Sequence, residues 1–539
     1  MIMKNYFAKS SVALMVVSAA LASCTQEEIV QNDLPTRQTL NISVNTQDFV
    51  SEDGSRATTG IDAERTTVFA EGDEMGMYVI SSDGTVICNN EKFVYDGSAW
   101  KAANELYYWK NADYIVYYPY DESLTVESIL DVDDTASSEE TDPSEEMTIV
   151  DALKAKFAES ADFYTQNTAE AYEKADLMLD AVKSPANGTI QFDLAHQFSM
   201  VEINVPVRKY KTKGGFEYTA PVSLNWDTPL TIDGKTVTPY STGKGSFRFI
   251  VPSEEELSFK LDGHLVYDEG VPVNFGSSTE PQSIDLASGT CKVYNVTYDK
   301  ISSEVVTRDL EVGDFYYTDG SIYPYGNQQG EYDLDKPVKK GCIGVIFEVG
   351  NGASTTSWTH GSVLALTTCN EAWSADNKTL ESNVVTEISE VLTLNNGFQI
   401  SHELSSILRE TDIPNQALNF GTTEATKQYA APSVISSGWY LPSIGQLVTV
   451  VKNLGGYEFT EDNYSTGYSD GNKGQIKSKI IAYFTPVNLS ASVPDIWLSA
   501  TEASEGNVWA LECKKNNNVG LLNNRPKKTK FNACPVLSF

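Results

Sequence analysis

The sequence is poor in positive charge, in histidine and in long apolar segments. Its 539 residues include 39 Lys and Arg against 74 Asp and Glu, so the formal net charge is −35 at pH 7. A surface of this sign repels phosphate backbones, which excludes nucleic acid as a partner. The one long apolar run stands at the N-terminus, and this pattern excludes a polytopic membrane protein.

Sequence motifs of enzymes and metal sites are also missing. The chain has no GxSxG, HExxH or P-loop motif, no GxGxxG before a helix, and no CxxC or Cys/His cluster. Its four histidines, at positions 196, 264, 360 and 402, stand far apart. We therefore predict a protein that is not an enzyme, with no catalytic residue, no metal and no cofactor.

The N-terminus has the pattern of an export signal. Lys4 and Lys9 precede an apolar run from Val12 to Ala22, which is too short for a stop-transfer helix. Leu21-Ala22-Ser23-Cys24 resembles a bacterial lipobox, which implies a signal peptide over residues 1–23 and lipidation of Cys24. The acyl chains would anchor the protein in the outer membrane before further processing. The alternative is an ordinary secretory signal with a chance cysteine.

Six further cysteines are spread thinly along the chain. Four of them lie in the last two hundred residues, where one or two disulfide bridges could form. Buried free thiols are an equal alternative.

Short segments of alternating apolar residues predict a mainly β protein. Examples are Leu40–Val44, Met77–Ile80, Tyr114–Tyr118, Val201–Val207 and Phe247–Val251. Asp-Gly and Asn-Gly turns separate many of these segments, which favours β-sandwiches over a parallel sheet. The exceptions are a stretch from Ile149 to about Ala181 with helical composition, and an acidic insertion from Asp131 to Glu146. We interpret the insertion as a solvated loop, since it departs from the EF-hand calcium pattern.

A series of landmarks over the first three hundred residues resembles the fimbrillin family of Bacteroidales. Phe69–Tyr78 resembles the strand entry "F..GD.iGvY", and Tyr114–Tyr120 resembles the strand "F.AYYP". Asp176–Ala181, Phe192–Val201 and Lys292–Val296 follow in the order of the family. Trp100, Trp109, Tyr107 and Tyr117 accompany these landmarks and are expected to be core anchors, with sugar platforms as the alternative. His196 is expected to be a satisfied histidine between strands.

The fimbrillin resemblance implies two transthyretin-like β-sandwiches, over residues 57–205 and 206–303, that assemble by donor-strand exchange with other fimbrillin subunits. In that family a protease cuts after an arginine and removes the first strand. Thr39–Thr46 matches the removable strand within a propeptide at residues 24–56, with Leu40, Ile42 and Val44 on one face. The cut would fall between Arg56 and Ala57, with Arg65 and Arg37 as alternatives.

The last part of the chain resembles an α+β C-type-lectin-like domain of the Fibrobacter major paralogous type, which we place at residues 304–539. The resemblance rests on Ser437–Leu447 ("GWrLPs..EL"), on Ile496–Glu502 with Val508–Ala510, and on Pro535–Phe539. The sugar- and calcium-binding motifs of true lectins are absent, so calcium-dependent sugar binding is not carried over. The fold also occurs in sulfatase-modifying enzymes, which leaves Cys342 or Cys369 as an alternative redox nucleophile.

A locally basic, Asn-rich hairpin in this last part is a candidate contact surface. Its contact residues are Lys514, Lys515, Asn517, Asn524 and Arg525, and Lys527 belongs to the same stretch. The alternative is a solvated hairpin without a ligand.

Together these patterns predict a structural and adhesive subunit of a surface fimbria. Phe539 ends what reads as the closing strand of the last domain, which favours the tip adhesin over a stalk subunit that donates a strand. Its ligand would be a glycan or protein on a host or bacterial surface. The alternative function is a stand-alone surface lipoprotein that binds such a ligand without polymerising.

Overall fold

The computed structural model describes residues 38–51, 67–130, 148–227, 229–232, 234–253, 257–259, 262–267, 272–275, 282–284, 286–302, 304–325, 337–350, 357–465, 475–488, 493–514 and 519–539. Strands predominate over helices in these residues, so the chain is mainly β as predicted.

The first region is built on a seven-stranded sheet with the order β1-β8-β7-β6-β3-β4-β5. Strand β1 lies at one edge and pairs in parallel with β8, whereas the other pairs are antiparallel. A short strand, β2, follows β1 in the chain and belongs to a different sheet. The strands of this part of the chain are β1 (Asn41–Thr46), β2 (Val50–Ser51), β3 (Glu74–Ser81), β4 (Val86–Tyr95), β5 (Trp100–Ala102), β6 (Ala112–Tyr118), β7 (Met178–Lys183) and β8 (Thr189–His196).

The central strands of this sheet are buried on both faces. In β6, Tyr114 and Val116 point into one apolar cluster, while Ile115 and Tyr117 point into another. Alternate side chains of a strand lie on opposite faces, so a strand covered on both sides needs a nearly continuous apolar run. The sequence of β6, ADYIVYY, meets this requirement.

The connection between β6 and β7 contains the helices of the first region. They are Val126–Leu130, Ile149–Glu159 and Ala169–Ala175, with a 3₁₀ turn at Ala161–Tyr164. Thr148 caps the second helix in a capping box with Asp151. The expected helical stretch is therefore correct from Ile149 but ends at Ala175, because Met178 to Ala181 pair with β6 as part of β7.

The second region contains short strands in several small sheets around one five-stranded sheet, β15-β16-β9-β21-β2. The remaining sheets have the orders β11-β10-β22, β12-β18-β19, β13-β14 and β17-β20. The strands are β9 (Ser199–Asn204), β10 (Lys209–Lys211), β11 (Glu217–Thr219), β12 (Ser223–Trp226), β13 (Thr231–Ile232), β14 (Lys235–Thr236), β15 (Tyr240–Ser241), β16 (Ser246–Val251), β17 (Leu257–Phe259), β18 (Gly263–Val266), β19 (Pro272–Phe275), β20 (Gln282–Ile284), β21 (Thr290–Asn295) and β22 (Val305–Thr307).

The change from the first sheet to the second falls between β8 and β9, ahead of the expected domain boundary at 205. Strand β9 pairs with β16 and β21 and so belongs with the second region. At the other end, β22 pairs with β10 and carries the second region past 303. Neither expected boundary coincides with a change of sheet.

The third region has two five-stranded sheets, β24-β23-β25-β26-β32 and β27-β31-β28-β29-β30. The strands are β23 (Phe315–Tyr317), β24 (Ile322–Tyr323), β25 (Cys342–Val349), β26 (Gly361–Ala365), β27 (Cys369–Ala372), β28 (Ile496–Ser504), β29 (Asn507–Cys513), β30 (Val519–Pro526), β31 (Lys530–Ala533) and β32 (Val536–Ser538). The helices are Ile388–Val391, Gly397–Ser405, Ile413–Leu418, Ile444–Asn453 and Ile476–Phe484. The helix that begins at Ile444 follows the motif around Trp439, and Ser443 and Gln446 form its capping box.

The second and third regions are joined by an aromatic cluster. Tyr210 and Tyr218 of the β10–β11 hairpin belong to the same buried cluster as Tyr316 and Phe539 of the third region. The Phe539 ring lies 4.6 Å from the Tyr316 ring and 6.2 Å from the Phe216 ring, measured between centroids. The described helices are all too short or too polar to cross a membrane.

Candidate strand-exchange site and ligand surface

The segment at residues 38–51 lies along the first sheet as its edge strand. In β1, Asn41 pairs with Thr189, and the register continues to Thr46 beside Leu194. Leu40, Ile42 and Val44 are half-buried against the apolar cluster on one face, while the residues between them are exposed. The expected strand and its apolar face are thus confirmed.

Hydrogen bonds hold the start of this segment. The amide of Leu40 donates to the Leu106 carbonyl at 2.9 Å, and the amide of Asn41 donates to the Gly188 carbonyl at 2.7 Å. A Cβ on Gly188 would lie 2.9 Å from the Thr39 carbonyl oxygen and 2.8 Å from Tyr108 Cβ. The close approach of β1 at this point therefore requires glycine.

Phe49 anchors the other end of the segment in the core. Its side chain is 8 % exposed, and its ring stacks on His196 with 3.7 Å between centroids. His196 Nδ1 lies 2.8 Å from Asp176 Oδ1, whereas Nε2 is buried without a hydrogen-bond partner among the described residues. The expected inter-strand histidine is thus satisfied at one nitrogen, and Phe49 covers its ring.

The segment then passes to the second sheet. The Val50 amide donates to the Gly289 carbonyl at 2.9 Å, and Val50 and Ser51 pair in parallel with Thr290 and Cys291 of β21. Strand β2 is terminal in its sheet, as β1 is in the first sheet. One continuous stretch of fewer than fifteen residues therefore forms edge strands of two sheets.

The predicted processing residues lie outside the described residues. This applies to Cys24, to Arg56 and Ala57, and to the alternatives Arg37 and Arg65. The acidic insertion from Asp131 to Glu146 also lies outside them.

Two aromatic residues beside β1 depart from their expected role. Trp109 is 50 % exposed and Tyr107 is 36 % exposed, whereas Trp100 and Tyr117 are buried. Tyr107 forms an isolated bridge with Thr39, in the connection between β5 and β6. The expectation of a core anchor is therefore wrong for Trp109 and Tyr107, because both side chains are exposed in the connection between β5 and β6.

Of the candidate contact residues of the third region, Asn524 and Arg525 lie on β30, the terminal strand of its second sheet, and Lys514 directly follows β29. Lys514 is half-buried and forms an ion pair with Glu512 at 2.7 Å, and Lys515 and Asn517 lie outside the described residues. Asn524 is exposed on the edge strand β30, and the half-buried Arg525 guanidinium lies 5.9 Å from the Phe531 ring. Of the described candidates, Asn524 is thus the most accessible.

Lys527 does not belong to a solvated basic hairpin. It is fully buried, and its ammonium group contacts the buried carboxylate of Glu502. Sequence composition could not reveal this, because the carboxylate comes from β28 and is brought there by the fold of the sheet.

Three tryptophans of the third region are structural. The indole nitrogens of Trp439, Trp497 and Trp509 donate to backbone carbonyls of Tyr429, Pro494 and Val385, each at 2.7 Å, and all three rings are buried. The motif around Trp439 therefore builds the core, and the faces of these three indole rings are not available to a ligand.

The six cysteines that the structure describes are free thiols. Burial raises the pKa of Cys369 to about 12 and the pKa of Cys88 to about 11, and it also raises the pKa of Cys342. A nucleophilic cysteine needs a lowered pKa and access to solvent. The environments of Cys342 and Cys369 therefore oppose the role of redox nucleophile. Within the described residues, no group of three or more His, Cys, Asp or Glu could hold a metal ion.

Comparison with known proteins points to fimbriae. Residues 55–314 match the sequence family described as fimbrillin-like. The chain is 24 % identical over 508 residues to Fim1C of Bacteroides ovatus, a candidate fimbrium tip subunit, with 83 % of this chain and 87 % of the relative covered.

Two solved structures are similar to this chain. A fimbrial protein from Bacteroides ovatus has 20 % identity and a TM-score of 0.39, with 94 % of this chain and all of that chain covered. A candidate cell adhesion protein from Bacteroides uniformis has 15 % identity and a TM-score of 0.27, with 50 % of this chain and 94 % of that chain covered. Residues 55–314 of this chain are thus similar to the fimbrillin-like family, and most of the chain is similar to a candidate fimbrium tip subunit.

Proposed function

We propose that this protein is a fimbrial subunit that assembles by strand exchange after cleavage between Arg56 and Ala57, and that it is the tip adhesin. The observation that carries the proposal is the position of residues 38–51. This one segment forms edge strands of two sheets and precedes the proposed cleavage position by only a few residues. Its removal would expose the edges of β8 and β21, whose unpaired N–H and C=O groups could accept a strand from another subunit.

Cleavage favours exchange through the loss of a covalent tether. While the segment is tethered, its effective concentration at its own groove is roughly millimolar, so an incoming strand competes poorly. After cleavage at Arg56 the segment is a separate peptide that is held by half-buried side chains and by Phe49. Dissociation then becomes permanent, and a donor strand can occupy the groove.

Lipidation at Cys24 would deliver the subunit to the outer membrane before this step. Each buried CH₂ of an acyl chain contributes about 0.8 kcal/mol, so several chains hold the protein firmly until the cut releases it. The partners that follow from this route are the outer membrane before processing and other fimbrillin subunits after it.

The tip position is supported by the pairing of β32. This strand pairs with β26, and Val536 also pairs with Tyr440. A strand held inside its own sheet cannot serve as the donor for a neighbour. In this proposal the third region is a C-type-lectin-like domain that faces the ligand, a surface glycan or protein. Its contact residues are Lys514, Lys515, Asn517, Asn524 and Arg525.

The test is N-terminal sequencing of the protein from sheared fimbriae of its native host. We expect the sequence to begin at Ala57, and Arg56→Ala to leave the protein in the membrane fraction and absent from fibres. Arg65→Ala is the matched control and should assemble normally. A fibre-associated protein that retains residues N-terminal to Arg56 would contradict the proposal, and a protein never found in fibres would favour the stand-alone lipoprotein.

A further inference from the structure

A fully buried trio of Lys527, Glu502 and Asn383 lies between the second sheet of the third region and the loop after β27. The side chains of Lys527 and Glu502 have no exposed surface, and Asn383 is 1 % exposed. Burying an ion pair removes the hydration of both ions before their mutual attraction is counted, so a fully buried pair is weak evidence for a purely stabilising role.

Glu502 connects the other two side chains through its two carboxylate oxygens. Oε1 accepts a hydrogen bond from Lys527 Nζ, and Oε2 lies 3.3 Å from Asn383 Nδ2, which donates to it. Lys527 Nζ also donates to the Lys378 carbonyl at 3.0 Å and to Thr379 Oγ1 at 2.8 Å. The lysine nitrogen is therefore held against the loop that carries the asparagine.

The amide of Asn383 is oriented with its nitrogen toward proton acceptors and its oxygen unpartnered. Nδ2 donates to the Ala500 carbonyl at 2.7 Å as well as to Glu502, while Oδ1 is buried with no hydrogen-bond partner among the described residues. A buried polar atom left without a partner is costly, and one of the explanations for such an atom is a chemical role.

The surroundings exclude water from the trio. The Trp373 ring lies over the lysine nitrogen, with 5.0 Å between Nζ and the ring centroid. Trp373 is itself fully buried, and its indole nitrogen donates to the Ser499 carbonyl at 2.9 Å. The trio is therefore held in a buried site of low polarity.

We propose that Lys527 and Asn383 form an intramolecular isopeptide bond, with Glu502 as the catalytic residue. Lys527 passes one proton to Glu502, and the resulting amine attacks Cγ of Asn383. The Nζ–Cγ bond forms and the Cγ–Nδ2 bond breaks, while Glu502 relays the second Nζ proton to Nδ2, which leaves as ammonia. Glu502 stays protonated beside the new amide, and the reaction needs no oxidant or other reactant.

The bond would give the third region a covalent clamp. Lys527 follows β30 and precedes β31, whereas Asn383 lies in the connection after β27. A covalent link between Lys527 and Asn383 prevents the β30–β31 hairpin from being pulled away from the loop that carries Asn383, because the two can then separate only if a covalent bond breaks. A surface protein that carries mechanical load would gain resistance to unfolding.

The test is mass spectrometry of the peptides that a protease releases from the purified full-length protein. We expect the peptides that contain Asn383 and Lys527 to be joined, with a combined mass lower by that of one ammonia molecule. The variants Lys527→Arg, Asn383→Ala and Glu502→Gln should each release the two peptides at their ordinary masses. Asn415→Ala, which removes another buried amide of the same region, is the matched control and should keep the joined peptide.

A second measurement covers the case in which a variant folds poorly. After full denaturation and reduction, the wild-type protein should migrate faster in gel electrophoresis than Asn383→Ala, since a closed loop makes the denatured chain more compact. If the wild-type peptides are recovered unlinked and the two proteins migrate alike, the trio is an ion pair with a neighbouring amide and the proposal is overturned.

Discussion

Strands β1 and β32 show two ways of completing a sheet. Both are terminal in the strand order of their sheets, and both are short. The side chains of β1 alternate between exposed and half-buried, whereas all three residues of β32 are buried. The first strand covers an edge of the molecule, and the last is part of the core.

The difference lies in what each strand touches on its second side. The Val536 amide and carbonyl exchange hydrogen bonds with Tyr440 at 3.0 and 2.8 Å, and Ser437 donates to the Ser538 carbonyl at 2.8 Å. Strand β1 is paired along its length only with β8. A strand with one hydrogen-bonded neighbour and half-buried side chains can be replaced by another strand of similar pattern. A fully buried strand that is hydrogen-bonded on both sides, as β32 is, cannot leave without opening a core.

The largest expected effect is that of shortening a side chain in β32. Leu537 is fully buried in the aromatic cluster between the second and third regions. Leu537→Ala should lower the free energy of unfolding by about 2–5 kcal/mol, from lost burial and the cavity left behind. Chemical denaturation measures the change. Val349→Ala, at an exposed position of the same sheet, is the control, and equal effects of the two changes would contradict the interior role of β32.

Ionisation of Glu348 should weaken the same sheet as the pH rises. Burial raises the pKa of this carboxyl, on β25, from 4.5 to about 7, although a hydrogen bond with Ser362 opposes the shift. The folded protein therefore holds this proton more tightly than the unfolded chain does, so stability is greatest below pH 4.5 and falls as the pH rises through 7. Glu348→Gln should remove this decline and stabilise the protein at pH 8 by about 1–2 kcal/mol. Thermal unfolding at pH 5 and pH 8 tests this, with exposed Glu390→Gln as the control; an unchanged pH dependence in Glu348→Gln would contradict it.

Shortening a side chain of β1 should have a smaller effect on the whole protein than Leu537→Ala. Ile42 is only half-buried, so Ile42→Ala should cost about 1 kcal/mol. The expected consequence is faster loss of residues 38–51 after limited proteolysis, with the rest of the fold retained. Ser43→Ala, on the exposed face of β1, should behave as wild type. If Ile42→Ala unfolded the protein as strongly as Leu537→Ala, the two edges would not differ.

The smallest expected effect concerns the exposed, polar face of β1. Here acid weakens the structure, whereas the ionisation of Glu348 weakens it as the pH rises. Two hydrogen bonds lower the pKa of the Asp193 carboxyl. The bond from Asn45 has the larger effect, and the bond from Gln191 adds to it. The contribution of this carboxylate to holding β1 is present above its unfolded pKa and is lost as the pH falls through the folded pKa. Acid should therefore speed release of the cleaved segment, and Asn45→Ala should blunt this acid response. Mass spectrometry of the released peptide at pH 3 and pH 7 measures it; an identical acid response in Asn45→Ala would contradict the link.

Local sequence patterns predicted where a strand lies better than they predicted which strands it pairs with. The alternation in Leu40–Val44 predicted a strand that the structure contains, because propensity and burial act over a few residues. The exposure of Trp109 could not be predicted in this way, since an aromatic residue in a strand-rich sequence reads as core. The position of β9 in the second sheet was also beyond reach, because alternation does not specify which strands pair.

The sequence by itself determined that this is an acidic, mainly β chain with fimbrillin landmarks and with β1 as an amphipathic strand. Tertiary structure alone decided that residues 38–51 reach two sheets, that Phe49 covers His196, and that Lys527 is buried against Glu502 rather than solvated. The physical reason is the separation along the sequence of the residues that interact. Charge, periodicity and turns are set by neighbours along the chain, whereas the partner of a buried ring or ammonium group comes from residues distant in sequence that meet only in the folded protein.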